Sequence, residues 1–142
     1  MSKTFSELGV HSIIQENLEK IKISVPTYVQ KKVIPLILNK KEDLVVLAKT
    51  GTGKTAAFGL PILQLIDTQN THLQVLILAP TRELGHQIYT NLISYATEQQ
   101  KETIASICGG IPIKPQIERL KGTTHIVVAT PGRLVDLVKR DA

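Results

Sequence analysis

Ala48-Lys49-Thr50-Gly51-Thr52-Gly53-Lys54-Thr55 follows the apolar run Leu44 to Leu47 and opens a helical pattern, the strand-to-helix setting of a loop that grips nucleotide phosphates. Gly51 and Gly53 let the main chain take positive φ and turn its N–H groups inward, while the positive end of the following helix faces the phosphates. Lys49, Thr50 and Thr52 complete the loop. Lys54 adds a point charge, and the Thr55 hydroxyl is placed for a Mg²⁺ ion carried on the phosphates, since Mg²⁺ takes oxygen ligands and keeps several waters. The stretch therefore predicts a nucleoside triphosphate with Mg²⁺ as ligand. Ala48 stands where the generic pattern has Gly.

Outward from this loop, four short runs rich in Val, Ile and Leu recur at Asp43 to Ala48, Gln74 to Ala79, Thr103 to Cys108 and His125 to Thr130. Each has the character of a strand buried on both faces. Helical patterns alternate with them: Lys54 to Ile66, Arg82 to Ala96 with Leu84, Ile88 and Leu92 on one face, Ile113 to Leu120, and Arg133 to Lys139. The alternation predicts an α/β fold, a parallel sheet flanked by helices, with ligands at the carboxyl ends of the strands. Ser12 to Lys20 and Thr27 to Asn39 read as two further helices. Pro35 in the second is expected to kink it or end its first half. Residues 1–40 are thus an N-terminal helical segment and 41–142 the body of the fold.

A chain of 142 residues fits one domain. No apolar run approaches the roughly 20 residues of a membrane helix, and the N-terminus lacks a secretion signal, so no membrane association and a cytoplasmic location are expected. The single cysteine, Cys108, allows no internal disulfide and is expected to be a buried strand residue, and four scattered histidines give no metal-ligand spacing. The formal net charge of +5 favours a polyanionic partner.

Each later strand ends in a polar cluster. Pro80-Thr81-Arg82-Glu83 offers a helix cap in Thr81, a guanidinium fork in Arg82 for a phosphate oxygen, and Glu83 to hold that fork. Gly109-Gly110 lets a sugar-phosphate chain approach the backbone. Thr130-Pro131-Gly132-Arg133 repeats the design, with Thr as cap, Pro at the first helical position and Arg in the first turn. With 4% aromatic residues and no Trp, no base-stacking platform is evident. Binding with little sequence preference and strong salt dependence follows. Gln30 carries the donor and acceptor that match the N6/N7 edge of adenine, the alternative from the residue alone being an ordinary Gln on the solvent face of a helix.

Together these segments resemble the first RecA-like domain of a DEAD-box RNA helicase, over nearly the whole chain. Pro26-Thr27-Tyr28-Val29-Gln30 resembles the adenine-reading Q motif, with Phe5 upstream, and Ala48 to Thr55 resembles motif I. The resemblance implies a RecA-like P-loop NTPase fold, ATP and Mg²⁺ as cofactors, and RNA as partner. It implies Lys54 and Thr55 at the triphosphate, Gln30, Phe5 and Ile23 at the base, and Pro80, Thr81, Arg82, Gly109, Gly110, Thr130, Pro131, Gly132 and Arg133 along the RNA backbone. Two positions depart from the family pattern. Lys22-Ile23 replaces Gly followed by an aromatic, forfeiting a stacking contribution of about 1 kcal/mol. Gly85 replaces Ala within a helix, at a similar cost.

No strand run ends in an acidic residue: they close with Ala48, Ala79, Cys108 and Thr130. The family's Asp-Glu-Ala-Asp motif would follow Ala142, and the second RecA-like domain with its arginine fingers is absent. A fragment that binds but does not efficiently hydrolyse ATP is expected, since a finger alone contributes on the order of 10³ to 10⁵ in rate. Alternative readings are a DNA-directed translocase of the same superfamily and a non-catalytic nucleotide- or RNA-binding module. A small-molecule P-loop kinase is disfavoured by the missing acidic anchor. Oligomeric state is not legible.

Overall fold

Apolar runs become strands only where a neighbour can complete their hydrogen bonds, and three of the four expected runs find one. The computed structural model describes residues 3–39 and 42–142. The elements are α1 (Ser12–Lys20), α2 (Tyr28–Asn39), α3 (Lys54–Leu65), β1 (Val75–Leu78), α4 (Arg82–Tyr95), α5 (Glu98–Lys101), β2 (Ile104–Ile107), α6 (Ile113–Leu120), β3 (Ile126–Ala129) and α7 (Pro131–Lys139). They fall into two compact units, one holding the residues up to Leu65 with Ser94–Thr97, the other Ile66–Ile93 with Glu98–Ala142.

In the second unit the strands run parallel in the order β1-β3-β2. Val127 lies level with Leu76 on one side and Ala105 on the other, and Ala129 with Leu78 and Ile107. The centre strand, β3, is buried at all four positions, as expected of a strand covered on both faces. One face carries Ala105, Ile107, Val127 and Ala129 against Leu137 of α7, with Ile113, Ile117 and Leu120 of α6 and Leu134 of α7 packed around them. Burial on both faces fails for β1. Its Leu76 and Leu78 remain 45% and 54% exposed, because β1 is an edge strand beyond the cover that α6 and α7 give its neighbours.

The run Asp43 to Ala48 is not a strand. It takes no ladder partner among the described residues, and Val45 and Leu47 are 90% and 93% exposed. β-propensity without a partner leaves main-chain donors and acceptors to water, so an extended segment does not become part of a sheet. Pro35 does not end α2, which continues to Asn39. In its last turn the Asn39 side-chain amide donates from Nδ2 to Pro35 O at 2.9 Å. The short α5 has no counterpart in the sequence reading.

The first unit packs α2 on α3. Ile14 and Leu18 of α1, Ile34 of α2 and Leu60 and Leu63 of α3 are almost wholly buried. Gln64 closes the N-terminal turn by accepting from His11 N at 2.8 Å and donating to Gly9 O at 2.9 Å. The end of α1 is a left-handed cap: Lys22 N donates to Glu19 O and Ile23 N to Leu18 O, both at 2.9 Å. That geometry puts Lys22 at φ 61°, the position glycine suits best. A lysine there bears a steric cost of about 1–2 kcal/mol, partly offset by glycine's greater chain entropy when unfolded. Lys22→Gly is therefore expected to raise unfolding stability by about 0.5–1 kcal/mol in a denaturant titration, whereas Lys22→Val should lower it.

Candidate functional site

Glycine at two positions shapes the 48–55 loop. Gly51 and Gly53 take φ of 77° and 86°, as a loop with inward N–H groups requires. Thr52 Oγ1 donates to Lys49 O at 2.7 Å, pinching the turn. The Lys54 ammonium folds back into the concavity, donating to Ala48 O and, at 2.8 Å, to Lys49 O. A cation thus rests among loop carbonyls just ahead of α3, whose N-terminal end begins at Lys54 itself. Phosphate oxygens suit this cradle, because they offer the ammonium stronger acceptors and the free N–H groups a charged partner.

Gln30 is buried within the same unit, 3% exposed, and both ends of its amide are engaged. Its Oε1 accepts from Thr27 N at 2.9 Å and its Nε2 donates to Gly53 O at 3.1 Å. Thr27 Oγ1 donates to Thr52 O at 2.9 Å. The 26–30 segment is therefore bonded to the phosphate loop, and a Cβ at position 53 would collide with Gln30 Nε2. Sequence reading gave Gln30 the base edge alone and missed Thr27 as the second tie. Phe5 is 4% exposed, which leaves it almost no face to offer a base. Ile23 is half-buried.

In the second unit, the carboxyl ends of β1, β2 and β3 lead into three polar turns. At β1, Thr81 Oγ1 accepts from Leu84 N at 3.2 Å, so Thr81 caps α4. Arg82 does not pair with Glu83, since adjacent helical residues point about 100° apart. Its guanidinium instead lies over the turn after β2. A Cβ at Gly109 would stand 3.2 Å from Arg82 Nε and one at Gly110 2.6 Å from Arg82 Nη1. Gly110 also has φ 92°. The pair of glycines leaves room for an arginine side chain.

At β3, Pro131 opens α7 with Thr130 before it, as expected, yet the Thr130 hydroxyl makes no bond within its own helix. It accepts from Gly109 N across the turn at 3.3 Å. Arg133 likewise turns inward, donating from Nη1 to Gln116 Oε1 at 2.7 Å and from Nη2 to Ile111 O at 2.9 Å. Gln116, 4% exposed, donates to Cys108 O at 2.9 Å. Cys108 is buried as expected, one residue past β2. Gln116 escaped the sequence reading, although the spacing Ile113, Gln116, Ile117, Leu120 shows a polar residue on the apolar face of a helix. That is the signature of a buried amide with assigned partners.

Among the described residues no helix is long and apolar enough to cross a membrane. A profile of the family described as DEAD/DEAH box helicase matches residues 27–142. The chain is 44% identical over 138 residues to the DEAD-box ATP-dependent RNA helicase CshA of Streptococcus pneumoniae serotype 4, which covers 97% of this chain and 26% of that protein. Its structure is similar to a DEAD box protein from the hyperthermophile Methanococcus jannaschii, with TM-score 0.88, 38% identity, and 99% of this chain and 38% of that one covered. S. cerevisiae Dbp5 bound to RNA and ADP BeF3 gives TM-score 0.83 at 30% identity, over 99% of this chain and 35% of that one. The chain thus spans about a quarter to a third of the curated relatives it matches.

Gly85, one turn into α4, has a structural reason that overrides helix propensity. A Cβ there would stand 2.6 Å from Cys108 Sγ and 3.5 Å from Ala79 Cβ. Propensity alone favours Ala by about 1 kcal/mol, whereas overpacking costs typically about 1–3 kcal/mol. Gly85→Ala is expected to destabilise the chain in a denaturant titration, and Cys108→Ala added to it to recover most of the loss, a coupling that a double-mutant cycle measures.

Proposed function

The chain belongs to the DEAD/DEAH box helicase family, and we propose that it is the ATP-binding and RNA-backbone-binding part of an ATP-dependent RNA helicase. Its fold is part of a RecA-like domain, a parallel three-stranded sheet with flanking helices. The observation that carries the reading is the emergence of three strands at one edge into turns of glycine, threonine and arginine, with Arg82 exposed over Gly109-Gly110. Such turns hold phosphate and sugar groups and leave base edges unread. The relatives support this reading: CshA is an ATP-dependent RNA helicase, and Dbp5 was solved with RNA and ADP BeF3.

In this reading a triphosphate would take the place of the Ala48 and Lys49 carbonyls as partner of Lys54, and Thr55 would help hold Mg²⁺, which would supply charge neutralisation of the phosphates. Gln30 is 3% exposed with both amide ends engaged, so its second N–H and lone pair reach the adenine edge only as the segment around it opens to the base. Base recognition and loop geometry are then linked through one side chain. Ile23 gives the base apolar cover, and Phe5 acts only through its packed neighbours. Pro80, Thr81, Arg82, Gly109, Gly110, Thr130, Pro131 and Gly132 line the RNA path. The strand ends carry no carboxylate to fix Mg²⁺ or orient water, so this chain binds ATP without hydrolysing it efficiently.

Calorimetric titration with MgATP tests the nucleotide half. Lys54→Ala is expected to weaken binding at least tenfold without loss of secondary structure, and unchanged affinity would contradict the assignment. For the RNA half, binding of a fluorescein-labelled uridine decamer is followed against KCl concentration. Arg82→Ala is expected to reduce the slope of log affinity against log salt by about 0.7, the loss of one single-strand phosphate contact. A deoxyuridine decamer bound equally well would favour a DNA-directed translocase.

A further inference from the structure

Arg133 sits in the right turn to meet RNA, yet both arms of its guanidinium are occupied inside the protein. One arm donates to Gln116 Oε1 at 2.7 Å and the other to Ile111 O at 2.9 Å. Gln116 passes the connection on, its Nε2 donating to Cys108 O at 2.9 Å, while Thr130 Oγ1 accepts from Gly109 N at 3.3 Å. The four residues from Cys108 to Ile111 are therefore held at three points, two carbonyls and one N–H, by side chains from α6 and the start of α7.

That turn needs holding. Two consecutive glycines give it the widest conformational freedom available to a chain, and Gly110 is kept at φ 92°. A loose Gly109-Gly110 would pay its ordering entropy each time RNA bound. We propose that Gln116 and Arg133 are positioning residues, which hold the Gly109-Gly110 turn ready beneath Arg82 and do not themselves contact RNA. The inference rests on the RNA-binding reading above. It assigns Gln116 a role and separates two arginines that look alike in sequence: Arg82 meets the phosphate and Arg133 shapes the turn.

The distinction has a chemical test, because a phosphate contact needs charge and a brace needs the planar fork. Arg133→Lys keeps the charge but loses the planar fork whose two separate nitrogens bond Gln116 Oε1 and Ile111 O. Gln116→Met keeps the volume and removes both hydrogen bonds. The whole chain and each variant are titrated with the fluorescein-labelled uridine decamer across a KCl series, and exchange of the Gly109 amide is followed by NMR, with Val127 and Val128 of the sheet as internal controls.

Both variants are expected to bind RNA five- to tenfold more weakly with an unaltered salt slope, and to exchange the Gly109 amide at least tenfold faster while Val127 and Val128 stay protected. Unchanged Gly109 exchange in either variant overturns the brace. So does full RNA affinity in Arg133→Lys, which would mark Arg133 as a phosphate contact. If the unaltered chain does not bind the decamer, the functional reading falls, and the Gly109 exchange still decides whether the two side chains hold the turn. Should Gln116→Met lose protection at Val127 and Val128, Arg133→Lys carries the decision.

Discussion

Parallel pairing of β3 with β1 on one side and β2 on the other sends all three strands out at the same edge, since parallel neighbours share a direction as well as a register. The turns at Thr81-Arg82, Gly109-Gly110 and Thr130-Arg133 therefore become neighbours, although nearly fifty residues separate the first from the last. Burial of β3 at every position makes that arrangement hard to shift. A register slip would carry Val127 and Ala129 off the face they share with α6 and α7 and turn Ile126 and Val128 onto it.

Within each unit, polar side chains are directed at the main chain. Gln116 and Thr130 bond to backbone atoms of the turn after β2, and Gln30 does the same for the 48–55 loop in the other unit. Side chains that hold main chain leave the loops' remaining N–H groups in place before a ligand arrives, which is the physical meaning of preorganisation. Glycine serves the same end from the opposite side. Gly53 makes room for Gln30, Gly110 for Arg82, and Gly85 for Cys108. The glycine at 85 illustrates how packing overrides local preference, for a helix position that propensity would give to alanine is closed to any Cβ by the cysteine beside it.

Periodicity alone revealed much of this architecture. The bounds of α1 and α6 were readable to the residue, and the other long helices to within two, because apolar spacing is a local signal. The run 43–48 misled for a physical reason: its Val and Leu content is that of a strand, but pairing is a property of two segments and one sequence stretch reports only on itself. Site residues divide the same way. The positive φ of Gly51 and Gly53 was legible, since it follows from backbone conformation near in sequence. The inward turn of Arg133 and the part of Gln116 were not, because both depend on carbonyls that only tertiary structure brings within 3 Å.

The decisive measurement is a two-dimensional amide NMR titration of the chain with an unlabelled single-stranded uridine decamer. Resonances of Thr81, Arg82, Gly109, Gly110, Thr130 and Gly132 should move together on a common binding curve, with α6 and the buried strand β3 nearly still. Shifts spread over the charged surface without concentration at those turns, or confined to residues far from the strand ends, would show that the shared edge is not where the polynucleotide lies.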